Sequence, residues 1–306
     1  MQPIRRATLE LHIAVLLFGF TAILGRLIEL NAIMLVWWRV LFTCLSLLFF
    51  VKVSTLLKQM SRGMFIRFMG IGWLVAAHWL CFYGSIKESN ASIALICLSF
   101  ISLFTALIEP LILRQKIKGL ELMVGALVIP GMILIVQHLD LAMLHGIWLG
   151  ILAALFGTLF SVFNKKYIDR THPLNITFIE LGSATILLSL VVLFLVIGQP
   201  DVKFWPNATD LGYLLVLALL CTTLAYVLSL RSLKYLSAFA ANLTINLEPV
   251  YGIILAILLL HENKELSIQF YMGVFLILIV VFAYPILKKR ISRISPAPDE
   301  SLGTHG

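Results

Sequence analysis

Residues 236–260 read LSAFAANLTINLEPVYGIILAILLL, an apolar stretch that is long enough to cross a membrane as one helix. A helix rises ~1.5 Å per residue, so about 20 residues cover the ~30 Å of hydrocarbon in a bilayer. The stretch contains a single charged residue, Glu248, and the following Pro249 removes a backbone donor and frees the carbonyl of Ile245. Because a charge at mid-membrane costs roughly 2.5–3.5 kcal/mol or more, we expect Glu248 to face a polar pathway or a neighbouring helix.

The rest of the chain has the same apolar character. Of its 306 residues, 61% are hydrophobic and 12% are charged, whereas soluble domains have roughly 45–50% apolar and about 25% charged residues. Too few polar residues are present to cover a soluble protein of this length, so the bilayer is the expected solvent. Ten segments are predicted to span it as helices: 8–28, 33–53, 65–86, 91–113, 120–137, 146–164, 175–198, 211–230, 236–260 and 268–287.

The distribution of Lys and Arg predicts the orientation. If the ends of the ten segments alternate between the two sides, 18 Lys and Arg lie on the side of the N-terminus and four lie on the other. This bias predicts a multi-pass protein of the plasma or inner membrane with both termini in the cytoplasm. The formal net charge of +8 arises from short clusters between apolar runs, so nucleic acid is not an expected partner.

An internal repeat divides the chain. The fourth and ninth segments both begin with small residues, contain Glu-Pro (Glu109-Pro110 and Glu248-Pro249) and precede a charged turn and a Gly-containing helix. The two Glu-Pro pairs lie at different depths and need not be structurally equivalent. Five helices per half is an odd number, so the second half enters the membrane from the opposite side, as in many transporters. We therefore predict an all-α integral membrane protein of two inverted five-helix repeats (1–140 and 141–290), followed by a disordered cytoplasmic tail (291–306).

Several short motifs carry a family resemblance. They are Gly19, Gly25-Arg26 and Arg39 in the first two helices, GILAAL at 150–155, and the run from Leu247-Glu248-Pro249 to His261-Glu262. The sequence resembles the drug/metabolite transporter superfamily, specifically the EamA type, although Leu113-Arg114 stands where the family usually has Gly-Glu. The resemblance implies the ten-helix fold and a cargo such as an amino acid, an aromatic compound or another metabolite, often moved outward.

The intramembrane polar and aromatic residues form the predicted substrate site. Arg39 could bind a substrate carboxylate with its fork of donors, or it could reach the interface or pair with Glu248 or Glu180. The asparagines of the ninth helix could meet substrate or tie helices together by hydrogen bonds. Aromatic walls suit an amphipathic ligand. The predicted substrate-binding residues are Arg39, His78, Trp79, Tyr83, Asn164, Tyr226, Asn242, Asn246, Glu248 and Tyr251.

Three intramembrane acids could carry a proton, because burial disfavours the charged carboxylate. They are Glu248, Glu180 and Glu109, and the last two lie near predicted cytoplasmic ends, where they could instead reach interfacial water or basic residues. The sequence contains no Walker A, HExxH or GxSxG motif and no metal-ligand spacing of cysteines.

We therefore predict a secondary transporter without cofactor or metal, not an enzyme, that acts as a monomer or homodimer on a small-molecule substrate by alternating access. The alternatives are a channel, a receptor-like membrane protein or a lipid-modifying enzyme.

Overall fold

A computed structural model describes residues 3–136, 141–199, 201–261, 268–276 and 278–279. These residues are helical or form short connections, and none of them lies in a strand. The helices are α1 (Pro3–Leu27), α2 (Ala32–Leu47), α3 (Val53–Gln59), α4 (Arg62–Glu88), α5 (Ala91–Leu113), α6 (119–136), α7 (Leu141–Arg170), α8 (Pro173–Gly198), α9 (Ala208–Leu233), α10 (Ala238–Leu260) and α11 (268–276 and 278–279).

The prediction of an all-helical membrane protein is confirmed. Among the described residues, seven helices are long and apolar enough to cross a bilayer: α1, α4, α5, α7, α8, α9 and α10. Two more, Ala32–Leu47 and Gly119–Ile133, are apolar but shorter. The predicted tenth span extends beyond the described residues, and the tail from 291 lies wholly outside them. The ten-helix inverted repeat therefore stays a prediction.

Polar residues at the helix starts explain several boundaries. The side chains of Asn31, Ser61, Asn90, Asn207 and Ser237 each accept a hydrogen bond from the backbone N–H three residues later. Such N-caps satisfy donors that have no partner inside the helix. At its other end α2 stops at Leu47, short of the predicted residue 53, because the chain turns at 48–50 with a bond from the N–H of Phe49 to the carbonyl of Ser46.

Both Glu-Pro helices are discontinuous. Helix α5 is interrupted at Leu98 and Ser99, between the pieces Ala91–Cys97 and Phe100–Leu113. Helix α10 is interrupted at 246–247, between Ala238–Ile245 and Glu248–Leu255. Pro249 thus lies in the first turn of a new helical piece, where its missing N–H removes no helical hydrogen bond. Broken helices of this kind line substrate sites in transporters.

Helices α5 and α10 are joined along their length by an antiparallel seam. At one end, Glu109 accepts hydrogen bonds from the N–H groups of Ala238 and Phe239 at 3.0 and 2.7 Å. Farther along, the Asn242 amide donates to the Thr105 hydroxyl at 2.9 Å. A third bond joins the two interruptions, since Asn246 Nδ2 donates to the Ser99 carbonyl at 3.4 Å. The seam links one helix from each predicted repeat.

A close helix crossing positions α8 against α4. A Cβ added to Gly72 in α4 would lie 2.1 Å from the Glu180 carbonyl oxygen and 2.3 Å from the Ser183 hydroxyl in α8. Only a residue without a side chain lets the two backbones approach this closely. The Ser183 hydroxyl also lies 3.0 Å from the Met69 carbonyl across the crossing. The crossing therefore fixes the height of Glu180 beside the site.

Candidate functional site

A cavity lies between the two predicted repeats, beside the interruption of α10. Its volume is about 70 Å³, several times the ~10–15 Å³ that a single water molecule requires. Helices α1, α2, α4, α5, α7, α9 and α10 contribute to its wall. Seven of the predicted substrate-binding residues line it: Arg39, His78, Trp79, Asn164, Tyr226, Asn242 and Glu248.

Arg39 is a buried cation that is held by neutral partners. Its side chain is 1% exposed, so it does not reach the interface. Arg39 Nε donates to the Thr222 hydroxyl at 2.7 Å and Nη1 donates to the Tyr83 hydroxyl at 2.8 Å. The guanidinium carbon lies 3.9 Å from the ring centroid of Trp79, in cation–π contact. In the described part of the chain, no carboxylate forms an ion pair with Arg39.

Glu248 places an acid on the same cavity. It is 5% exposed and sits at the start of the second piece of α10, where the interruption turns its side chain toward the cavity. Within the described residues, its carboxyl group takes part in no hydrogen bond and no ion pair with Arg39. The cavity thus presents one cation and one acid that are both buried and are not bonded to each other. Buried charges normally require a partner, so each can accept an external one.

Aromatic rings form one wall of the cavity. His78 stacks on Phe82 with ring centroids 6.2 Å apart and meets Phe160 edge-on at 5.4 Å. Tyr226 contacts both Phe160 and Trp79, at 6.2 and 6.4 Å. His78 Nδ1 lies 2.7 Å from the Ala153 carbonyl, which can only accept, so Nδ1 carries the proton. The wall is mostly aromatic, and the Tyr226 hydroxyl and the His78 ring are its polar groups.

Glu180 lies behind this wall and fixes two of its residues. Its Oε2 atom accepts hydrogen bonds from the Tyr226 hydroxyl at 2.6 Å and from Asn164 Nδ2 at 3.3 Å. Glu180 is fully buried and does not line the cavity. In the described residues, Glu180 Oε1 and Asn164 Oδ1 have no hydrogen-bond partner. Glu180 therefore influences the cavity indirectly, by holding the side chains of Tyr226 and Asn164 in place.

Four other predicted site residues lie outside the cavity lining. Tyr83 stands behind Arg39 and accepts its hydrogen bond. Asn246 belongs to the seam, and Glu109 caps the start of α10. Tyr251 packs against α1, where a Cβ added to Gly19 would meet the Tyr251 Cβ at 3.0 Å. The structure brings these residues around the site without exposing them to the cavity.

Sequence reasoning missed several residues that line or support the cavity. Phe160 and Ser161 lie one turn before Asn164, and Ser161 donates to Asn242 Oδ1 at 2.9 Å. Thr222, which binds Arg39, precedes Tyr226 by four residues in α9. Residues three or four apart share a helix face. That spacing from Asn164 and Tyr226 was the signal that could have found them.

Ion pairs connect the two predicted repeats at both ends of the bundle. At the end that carries most basic residues, called here the basic end, Arg231 Nη2 lies 2.8 Å from Glu10 Oε1. At the opposite end, Lys203 Nζ lies 2.6 Å from Glu29 Oε2 and 3.5 Å from Asp210 Oδ2. The hydrogen bond to Glu29 raises the pKa of Lys203 above its ordinary value of 10.5. The cavity extends toward the basic end, as far as Leu233 at the end of α9.

Comparisons with known proteins agree with this architecture. The EamA-like transporter family matches the chain twice, over residues 7–137 and 144–292. The chain is 26% identical over 254 residues to an uncharacterized transporter of Synechocystis sp., covering 80% of this chain and 73% of that protein. It is 24% identical over 191 residues to an uncharacterized transporter of Clostridium kluyveri, a match that spans 60% of each protein.

A solved crystal structure has a similar fold. Its TM-score is 0.69 at 13% identity, and the match covers 93% of this chain and 98% of that one. At this identity the likeness concerns the fold alone. The family match, in contrast, extends over both halves of the sequence. The chain therefore belongs to the EamA-like transporter family, within the drug/metabolite transporter superfamily.

Proposed function

We propose that this protein is a secondary transporter that moves a small zwitterionic metabolite, such as an amino acid, across the membrane by alternating access, most naturally as an exporter. The observation that carries the proposal is the shared cavity of Arg39 and Glu248, two buried groups of opposite charge that do not bind each other. The two relatives that the chain resembles are both named transporters, which favours a transporter over a channel.

The charges support a zwitterionic cargo. Two nitrogens of Arg39 already bind Thr222 and Tyr83, so the remaining face of the guanidinium is held in place to meet a carboxylate. Glu248 would accept an ammonium group on the same ligand. The aromatic wall of Trp79, Phe160 and Tyr226 would contact the apolar part of the cargo. Such a ligand would neutralise both buried groups at once.

Alternating access would use the two inverted repeats, 1–140 and 141–290, which correspond closely to the two segments that match the family. If the basic end faces the cytoplasm, the cavity extends toward that side. The ion pairs of Lys203 would then close the opposite end. This arrangement suits an inward-facing state that receives cargo from the cytoplasm.

A proton could drive the cycle through Glu248 or Glu180. Glu248 lines the cavity directly, and Glu180 reaches it through Tyr226. The free Oε1 atom of Glu180 could hold a proton and donate it. Glu109 is the weakest of the three candidates, because backbone N–H groups of α10 already occupy both of its oxygens.

Counterflow of labelled amino acids in proteoliposomes tests the proposal. We expect saturable uptake by the wild type and at least tenfold weaker cargo affinity for Arg39→Gln, since a hydrogen bond to a charged group contributes about 1.5–3 kcal/mol. Glu248→Gln should also reduce flux while leaving the protein folded. The matched controls are Arg62→Gln and Glu88→Gln, at exposed positions outside the cavity.

Wild-type flux by Glu248→Gln at every pH would remove Glu248 from the mechanism. Flux that does not saturate would favour a channel, and chemical conversion of the cargo would favour an enzyme. Either result would contradict the proposal.

A further inference from the structure

A second polar groove lies at the basic end, away from the cavity. It has a volume of about 450 Å³ and is formed where α1, α8 and the end of α9 meet. Its polar wall consists of Arg6, Glu10, His172, Arg231, Lys234 and Tyr235. None of these residues contributes to the cargo cavity. We propose that this groove binds a phosphate-bearing anion, which in the membrane is the headgroup of an anionic phospholipid.

The charges in the groove do not balance. A single carboxylate oxygen, Glu10 Oε1, serves two guanidinium groups, Arg6 at 2.9 Å and Arg231 at 2.8 Å. Lys234 forms no ion pair with a carboxylate in the described part of the chain. Three basic side chains therefore share one acidic side chain, which leaves an excess of two positive charges in the groove. Arg and Lys placed in this way provide charge-assisted hydrogen bonds to phosphate oxygens.

The start of α8 adds two further attractions for an anion. His172 caps this helix by accepting a hydrogen bond from the N–H of Leu174 at its Nδ1 atom. Since Nδ1 accepts, Nε2 of the neutral ring carries the proton and is a donor. The positive end of the helix dipole also lies at Pro173, in the wall of the groove.

The surroundings favour a lipid as the source of the phosphate. The groove residues of α1 occupy one helix face, and the exposed apolar side chains of Ile4 and Leu9 flank it on either side. Such side chains suit contact with acyl chains while the headgroup lies between them. The basic end is the predicted cytoplasmic side, and the cytoplasmic leaflet is rich in anionic lipids. A soluble phosphate could supply the same chemistry without the acyl contacts.

Binding at this groove would connect the two predicted repeats. Arg6 belongs to α1 of the first predicted repeat, whereas Arg231 lies in the last turn of α9 in the second and Lys234 directly follows that helix. An anion bridging them would neutralise the surplus charge and hold the two helices together at the predicted cytoplasmic face. Because none of the groove residues lines the cargo cavity, occupancy of the groove would not depend on the identity of the cargo.

Thermal unfolding of the full-length protein in vesicles tests the proposal. The vesicles are phosphatidylcholine with or without phosphatidylglycerol, and a soluble arm adds inorganic phosphate or glycerol phosphate to pure phosphatidylcholine. We compare the double variant Arg231→Gln/Lys234→Gln with the control Lys58→Gln/Arg62→Gln, which removes the same charges from exposed positions at the predicted cytoplasmic side. Lys234→Gln alone is a second test, because it breaks no ion pair with the described residues.

We expect phosphatidylglycerol to raise the Tm of the wild type and the control alike. The groove variant should lose most of this increase and bind phosphatidylglycerol about tenfold or more weakly, since each lost contact involves a charged group. Lys234→Gln should lose part of it. A Tm increase with soluble phosphate that the groove variant lacks would support the same site with a soluble source. Equal responses of the groove and control variants in every arm would overturn the proposal.

Discussion

Gly72→Ala is expected to destabilise the protein by forcing α4 and α8 apart. The new Cβ would lie 2.1 Å from the Glu180 carbonyl oxygen. Contacts below 3.0 Å essentially never occur for Cβ atoms, so the backbones must separate by at least 0.9 Å, the difference between these two distances. Overpacking of this kind costs about 1–3 kcal/mol. It outweighs the gain of up to ~1 kcal/mol that Ala provides over Gly within a helix.

The same displacement should reach the site. Glu180 Oε2 accepts the Tyr226 hydrogen bond at 2.6 Å, so a displacement of α8 by about 0.9 Å relative to α9 would disturb the geometry of this bond. Gly70→Ala is the matched control, because a Cβ at Gly70 in the same helix has no neighbour within 4 Å. The free energy of unfolding in detergent and the counterflow rate should fall for Gly72→Ala only. Equal stability of the two variants would refute the close approach of α4 and α8.

Three further substitutions have defined outcomes. Tyr226→Phe removes a hydrogen-bond donor to Glu180, so counterflow should be slower and its pH profile should shift. A reduced Tm without any change in flux would contradict this expectation. Glu109→Gln leaves one N–H at the start of α10 without its carboxylate acceptor and should lower the free energy of unfolding by about 1 kcal/mol in denaturant titrations, with cargo affinity unchanged. Lys203→Met removes the ion pair with Glu29. In the wild type this pair stabilises the fold fully below pH 10.5 and is lost as the pH rises through the elevated pKa of Lys203. The difference in Tm between the wild type and the variant should therefore shrink at strongly alkaline pH.

The fold was predictable because the solvent imposes a strong pattern. Runs of about 20 apolar residues have few alternatives to a transmembrane helix, since lipid offers no partners for backbone groups. The helix interruptions were harder to predict from the sequence. Pro249 signalled a lost hydrogen bond, but its position inside a first turn depends on where the preceding piece ends, at Ile245. Leu98 and Ser99 interrupt α5 without any Pro or Gly at the site.

The site was predictable to the extent that burying polar groups in a membrane requires partners. That argument selected Arg39 and Glu248, which line the cavity, but it could not distinguish a cavity residue from one that contacts another helix. Asn246 and Glu109 satisfy the same rule by binding the backbone of another helix. Thr222 was not predicted, because a hydroxyl within an apolar helix can simply bind the backbone of its own helix, as it does here with the Leu217 carbonyl. Its contact with Arg39 depends on how two distant helices pack, which the sequence does not show.

The carboxylate of Glu109 also constrains how the chain can be assembled. The first N–H groups of α10 have their acceptor on α5, a helix synthesised more than a hundred residues earlier. During insertion, α10 can complete its own start only after α5 is in place beside it. A polypeptide carrying the second half alone would leave these donors without the Glu109 carboxylate, so the start of α10 depends on the first half being present beside it.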